Sequence, residues 1–209
     1  MKLAVVCANG KAGLRIVEEA VSRGLDVTAV VREENRSAAR AVIQKDLFDL
    51  TAADLAGFDA VVDAFGAWTP ETLPLHSRSL AHLCDILSGT PTRLLVVGGA
   101  GSLYVNPERT ACVADGPDFP DAFKPLAAAM AQALAELRQR ADVRWTYLSP
   151  AADFQPGGAR TGSYTLGGEE LILNAKGESV ISYADYAIAM VDEAVSGNHI
   201  QQRLSAVSA

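Results

Sequence analysis

Apolar residues in this chain fall into short unbroken runs separated by stretches of helical spacing. Residues 3–7 are apolar throughout, and Asn9, Gly10 and Lys11 interrupt the run at once. Over 12–23 the period changes, with Ile16, Val17, Ala20 and Val21 on one stripe before Gly24 ends it. Runs like the first recur at 26–31, 60–64, 93–97 and 144–148, each spaced to leave room for a helix. The stretch Leu94-Leu95-Val96-Val97 does not alternate, which is the signature of a parallel strand covered on both faces. Helices are expected at 75–87, with Leu80, Leu83, Cys84 and Leu87 aligned, and at 125–138, where Pro125 suits the first turn. Ser182-Tyr183-Ala184-Asp185 has the Ser-x-x-acid spacing of a helix start; an apolar helix at 187–195 follows, and 204–207 reads as a last strand.

This alternation predicts an α/β fold: a Rossmann-type, doubly wound parallel sheet in three α/β/α layers, forming a single dinucleotide-binding domain over 1–209. Two stretches break the rhythm. Residues 98–120 and 151–168 are rich in glycine and proline and should be long loops leaving the carboxyl ends of strands. Ligands of open α/β sheets bind there, so both loops either shape a substrate pocket or decorate the surface.

Composition narrows the partners. With 49% hydrophobic and 21% charged residues the chain can bury a core, and a formal charge of -7 disfavours a nucleic-acid backbone as the main partner. The apolar start is too short for a signal-peptide core or a membrane span, so no membrane role is expected. Cys7, Cys84 and Cys112 form no CxxC pair, which argues against a zinc site or disulfide framework and fits a reducing cytoplasm. Cys7 reads as a small buried filler. Asp115, Asp118 and Asp121 lack a histidine partner and read as a solvated acidic loop, and His76 as an exposed or capping residue.

Candidate chemistry begins at the first turn. Ala8, Asn9, Gly10, Lys11, Ala12 and Gly13 lie between a strand and an amphipathic helix, where glycines admit close backbone approach and a pyrophosphate can sit on free helix amides. The second strand ends at Val31-Arg32, where an NAD site usually carries Asp or Glu. Arg32 instead offers a planar cationic fork to a 2'-phosphate, favouring NADP(H) over NAD(H). Glu33 and Glu34 could still reach a ribose or simply neutralise Arg32.

With Gly10-Lys11-Ala12-Gly13, Val31-Arg32, Asp46-Leu47, Asp63-Ala64-Phe65-Gly66-Ala67, Gly98-Gly99-Ala100-Gly101-Ser102 and Leu148-Ser149-Pro150-Ala151, the chain resembles the atypical short-chain dehydrogenase/reductases. The likeness is greatest to NmrA-like NADH-flavin reductases and the flavin reductase/biliverdin reductase B type. Thr161-Gly162-Ser163-Tyr164 and the segment 180–185 resemble that family too. The resemblance implies that Asp46 and Leu47 contact adenine, Phe65, Gly66 and Ala67 the adenosine ribose, and Ser149, Pro150 and Ala151 the nicotinamide, with Gly98, Gly99 and Ala100 also in the cofactor site. Two departures stand in the first turn, where Cys7 replaces the family's first glycine and Asn9 its usual threonine.

The Tyr-x-x-x-Lys pair of typical short-chain dehydrogenases is not visible; the corresponding region reads Phe119, Phe123, Lys124 and Pro125, with Ala127 and Ala128 following. Hydride transfer to a flavin, quinone or other planar electron acceptor asks less of side chains. The expected function is therefore NAD(P)H-dependent reduction of such an acceptor, with any flavin a substrate rather than a prosthetic group. Ser102, Tyr104 and Lys124 are the candidate catalytic residues, although Ser102 also suits a turn and Tyr104 aromatic packing. Trp68, Phe154, Tyr164 and Tyr183 either line an aromatic wall or anchor loops. A non-catalytic NADP(H) sensor of the NmrA type is the alternative; a sugar-nucleotide epimerase or dehydratase would need a larger C-terminal half. Either a monomer or a homodimer is compatible with the sequence.

Overall fold

Strand β1 (Lys2–Val6) shows why these runs are continuously apolar. Leu3 and Val5 enter the core on one face of the sheet, and Ala4 and Val6 enter the core on the other. In the computed structural model, which describes residues 1–209, β1 pairs in parallel with β2 (Asp26–Val31) on one side and β4 (Ala60–Asp63) on the other. Beyond β2 lies β3 (Ala41–Gln44). Beyond β4 follow β5 (Arg93–Val97), β6 (Arg144–Ser149), β10 (Gln202–Ser208) and β8 (Tyr164–Gly167). All neighbours are parallel except β8, which runs antiparallel to β10.

Helices α1 (Lys11–Ser22) and α4 (Tyr183–Ser196) cover one face, and α2 (Leu75–Leu87) and α3 (Lys124–Leu137) the other. The Rossmann-type three-layer expectation is met. Pro125 lies in the first turn of α3, and the Ser182 side chain caps α4 by accepting from the Asp185 amide at 2.9 Å.

The structure corrects the reading of 151–168. It contains β7 (Asp153–Gln155), paired with β9 (Val180–Ser182), and then β8 on the sheet edge. Their partners lie far along the chain, so neither periodicity nor composition marks them. β3 escaped because it is short and largely exposed. Residues 98–120 remain a loop, with a single 3-10 turn at Val113–Asp115.

At the opposite, amino-terminal edge of the sheet lies a buried polar staple. Arg93 donates to Glu193 Oε1 (2.6 Å) and to the α4 carbonyl of Glu193 (2.6 Å), while Glu193 Oε2 meets His199 Nδ1 at 2.7 Å. Thr146 completes it by donating to the His199 carbonyl. This network fixes the C-terminal end of α4 against β5 and β6, leaving the carboxyl edge of the sheet for the candidate site.

Candidate dinucleotide and substrate site

Between β1 and α1 the backbone turns at Cys7, whose φ of 59° lies in the left-handed region that glycine tolerates best. That geometry accounts for the family glycine at this position. The Gly10 amide closes the turn onto the Cys7 carbonyl at 2.9 Å, and the first helical bond runs from Leu14 N to Gly10 O at 2.8 Å. The amides of Lys11, Ala12 and Gly13 therefore have no partner within the chain, and no side chain caps them. A Cβ on Gly13 would stand 2.6 Å from the Cys7 carbonyl oxygen and 2.9 Å from Ala8 Cα, so glycine allows α1 to approach β1 this closely. Three free amides at the positive end of a helix dipole fit a pyrophosphate. Burial pushes the Cys7 thiol up to about 12, consistent with a filler rather than a reactive thiol.

Asn9 does not face this turn alone. Its amide donates to the Glu34 carbonyl (2.8 Å) and its oxygen accepts from the Arg36 amide (2.8 Å), clamping the loop after β2 onto the phosphate turn. Arg36 was not singled out in the sequence; the clamp brings its guanidinium within 3.4 Å of the Asn9 carbonyl. Arg32 extends from the end of β2 with its side chain 76% exposed, its carboxylate neighbour Asp46 lying 3.9 Å away. Asp46 caps the short turn Leu47–Asp49 by accepting from Phe48 N, and Leu47 is buried beneath it. Glu33 and Glu34 are both exposed. Arg32 and Arg36 are thus both exposed on the segment that follows β2.

The turn at Phe65, Gly66 and Ala67 is held from below at both ends. Asp63 accepts from Phe65 N at 3.0 Å, and His76 Nε2 donates to the Ala67 carbonyl at 3.1 Å, its ring edge-on to Phe65. The expectation of an exposed His76 is therefore corrected: it is buried, because the second residue of α2 faces the sheet. Asp63, His76, Ser79 and Tyr147 border a small cavity of about 20 Å³. Burial pushes the Asp63 carboxyl up to about 6 against the pull of the Phe65 amide, and lowers the His76 pKa despite its bond to Ala67.

Glycines at the end of β5 make room for neighbours. A Cβ on Gly98 would enter the Tyr147 ring, one on Gly99 would meet Met130 Sδ at 2.9 Å, and one on Gly101 would meet Ala127 Cβ at 2.7 Å. The loop through Ala100 is thus pressed between β6 and α3. Ser149 is fully buried at the end of β6, followed by buried Pro150 and Ala151. Ser102 Oγ accepts from Arg203 Nη2 at 3.0 Å, and Ser149 Oγ accepts from Arg203 Nε at 3.0 Å. Arg203 gave no signal in the sequence, because its importance rests on contacts about a hundred residues away.

Tyr104 joins the loop to the segment after β8: its amide donates to the Glu169 carbonyl (3.0 Å) and its carbonyl accepts from Leu171 N (2.8 Å). It lines an open groove of about 510 Å³ with Arg109, Glu170 and Leu171. Lys124 begins α3 and pairs with Asp121 at 2.6 Å, both exposed. Of the acidic loop, Asp115 accepts from Cys112 N and Asp118 is exposed.

The four aromatics do not form one wall. Phe154 stacks on Tyr183 with ring centroids 3.9 Å apart, whereas Tyr164 donates to Asp192 and Trp68 is 69% exposed. The two late motifs prove to be one constellation: buried Asp185 accepts from the amides of Thr161 and Gly162 (both 2.9 Å) and from the Thr161 hydroxyl (2.8 Å). Their pairing anchors the loop before β8.

The fold is that of a Rossmann-type α/β protein, with the glycine turn at the carboxyl edge of its parallel sheet. The model of the NAD(P)H-binding family matches residues 7–194, and the chain belongs to that family. It is 47% identical to the uncharacterized protein YwnB of Bacillus subtilis (strain 168), covering all of this chain and 99% of that one. Among solved structures it is similar to SP1627 of Streptococcus pneumoniae TIGR4, provisionally assigned as an NADH-flavin reductase (57% identity, TM-score 0.97, 100% of both chains). It is also similar to a protein of Bacteroides thetaiotaomicron provisionally assigned as an epimerase (32% identity, TM-score 0.86, 99% of this chain and 96% of that one). No helix is long and apolar enough to cross a membrane.

Proposed function

We propose that the protein is an NADPH-preferring reductase of a flavin, quinone or similar planar acceptor. The observation that carries this reading is the charge pattern around the phosphate turn: three free helix amides, with exposed Arg32 and Arg36 beside them and no carboxylate at the last position of β2. Bound NAD(P)H supplies the hydride. The chain's own part is to grip the phosphates at Lys11, Ala12 and Gly13, seat the adenosine against Asp46, Leu47 and the 65–67 turn, and hold the reactive ring against 98–100 and 149–151. In this reading Ser102, half-buried, donates to the acceptor as it is reduced, and the open groove at Tyr104 offers room for the acceptor. The description of SP1627 supports a reductase and names NADH, so the dinucleotide preference is itself under test.

The deciding experiment follows absorbance of NADPH and of NADH with FMN, riboflavin and a simple quinone. Acceptor-dependent oxidation, faster with NADPH, is the expected result; no oxidation with any acceptor would remove the reductase reading. One observation favours a sensor instead: Lys124, the cation among the candidate catalytic residues, is already paired with Asp121. A sensor would bind oxidised and reduced cofactor with different affinity and turn over neither.

A further inference from the structure

Arg203 is the most deeply buried cation at the carboxyl edge of the sheet, with 1% of its side chain exposed. It sits on β10, one strand beyond β6, and its guanidinium spans three chain segments. Nε donates to Ser149 Oγ (3.0 Å), Nη1 to the Ser102 carbonyl (2.8 Å) and Nη2 to Ser102 Oγ (3.0 Å), with the Gly99 carbonyl at 3.4 Å. Glu169 lies 3.6 Å away and shares its charge with Arg138 at 2.6 Å. A buried charge is costly, and an apolar residue at this place in a parallel strand would fill the space without that cost. A planar fork that bridges two loops at once is something no apolar residue provides.

We propose that Arg203 is a positioning residue of the cofactor and acceptor site: it locks the glycine-rich 98–102 loop to the end of β6 and fixes the direction of the Ser102 hydroxyl. A guanidinium donates only, so in both serine contacts the serine oxygen accepts, and each hydroxyl proton points elsewhere. The Ser102 proton is thereby left to donate to another group, which under the reductase reading is the acceptor. Without this brace the side of the loop at Ser102 would lose its tie to the end of β6, leaving the Gly98 amide on the Leu148 carbonyl (2.8 Å), the Gly99 amide on the Tyr147 hydroxyl (3.2 Å), the Ala114 amide on the Gly101 carbonyl (2.9 Å) and packing on α3 to hold its shape.

The role of Ser102 rests on the reductase reading, whereas the bracing does not, and the test separates them. NADPH affinity is measured by fluorescence titration, and amide hydrogen exchange is followed across 98–103, in wild type, Arg203→Met, Arg203→Lys and Arg93→Met. Arg93 is also buried and ion-paired but lies at the opposite edge of the sheet, so its variant controls for lost stability. Arg203→Met should weaken NADPH about ten-fold, as expected for lost charged hydrogen bonds, and speed exchange in the loop. Arg203→Lys, which cannot reach all four acceptors at once, should recover only part of the loss, and Arg93→Met should leave affinity unchanged. Equal affinities and equal loop exchange in Arg203→Met and Arg93→Met would overturn the proposal. Should Arg203→Met not fold, Ser149→Ala removes a single acceptor; unchanged loop exchange there overturns it equally. A wild-type protein that binds NADPH and reduces no acceptor would remove the reductase reading while these two measurements still decide the bracing.

Discussion

At the residue scale the site depends on a few atoms with no freedom to move. The Cβ missing from Gly13 would meet backbone of Cys7 and Ala8 in the turn after β1, not a flexible side-chain end, so helix and turn would have to part. Gly13→Ala gains roughly 1 kcal/mol of helix propensity and loses about 1–3 kcal/mol to overpacking, so a net loss of stability is expected in thermal unfolding. A larger loss is expected in NADPH affinity, because the displaced amides are those that face the phosphate. A variant as stable and as tight-binding as wild type would remove the close-approach argument. Asp63 makes a different prediction. Its carboxyl ionises near 4 in an unfolded chain and near 6 in the fold, so between those values the folded state holds more protons and stability falls as pH rises. His76, lowered by burial, acts oppositely, since the unfolded chain takes up its proton first as pH drops below about 6.5. Asp63→Asn isolates the first effect: its stability relative to wild type should grow by roughly 2–3 kcal/mol between pH 4 and 7 in urea denaturation. A pH-independent difference would show that Asp63 ionises normally.

At the element scale, α4 links the two edges of the sheet. Its first turn presents Asp185 to the 161–162 amides, and its last turn is gripped by Arg93 through Glu193. Arg93 and the site lie at opposite ends of β5, about 13 Å apart at the usual strand rise. Glu193→Gln should therefore destabilise the protein by about 3 kcal/mol or more by leaving Arg93 buried without its counter-charge, as the urea midpoint would report. The double variant Arg93→Met/Glu193→Leu should recover most of that loss. Cofactor affinity should stay unchanged in both, and a fall would mean that the two edges are coupled. The same elements show what a sequence discloses. Strands β1, β2, β4, β5 and β6 were legible because burial on both faces is written into consecutive residues, and the phosphate turn because its glycines are local. β7, β8 and β9 owe their existence to distant partners, and β3 is short and largely exposed. Arg36 matters through Asn9, 27 residues earlier, and Arg203 through Ser102, 101 residues earlier. No local pattern can carry such information.

At the scale of the whole molecule, the chain carries a formal charge of -7 yet is proposed to hold a cofactor that is itself anionic. Binding must then rely on local positive potential: the amino end of α1, Arg32 and Arg36, set against a repulsive background. Two consequences follow for stability. A ligand bound only by the folded state at 100 times its Kd adds roughly 2.7 kcal/mol, and a chain of this size gains about 2–4 °C for each kcal/mol, so saturating NADPH should raise Tm by about 5–10 °C. NADH at the same concentration should raise it less, because it lacks the 2'-phosphate that the proposed site sets against the arginines. The difference between the two rests on exposed charges, so it should shrink as salt rises and the screening length falls to about 3 Å near 1 M. Arg32→Ala should narrow it in dilute buffer too, by roughly 1–3 kcal/mol of NADPH binding, while leaving the NADH shift in place. Thermal unfolding of both proteins with each nucleotide, at low and high salt, reads all of these from one set of curves. Equal shifts with NADPH and NADH in wild type would assign the phosphate grip to the helix amides alone and remove the basis for an NADPH preference.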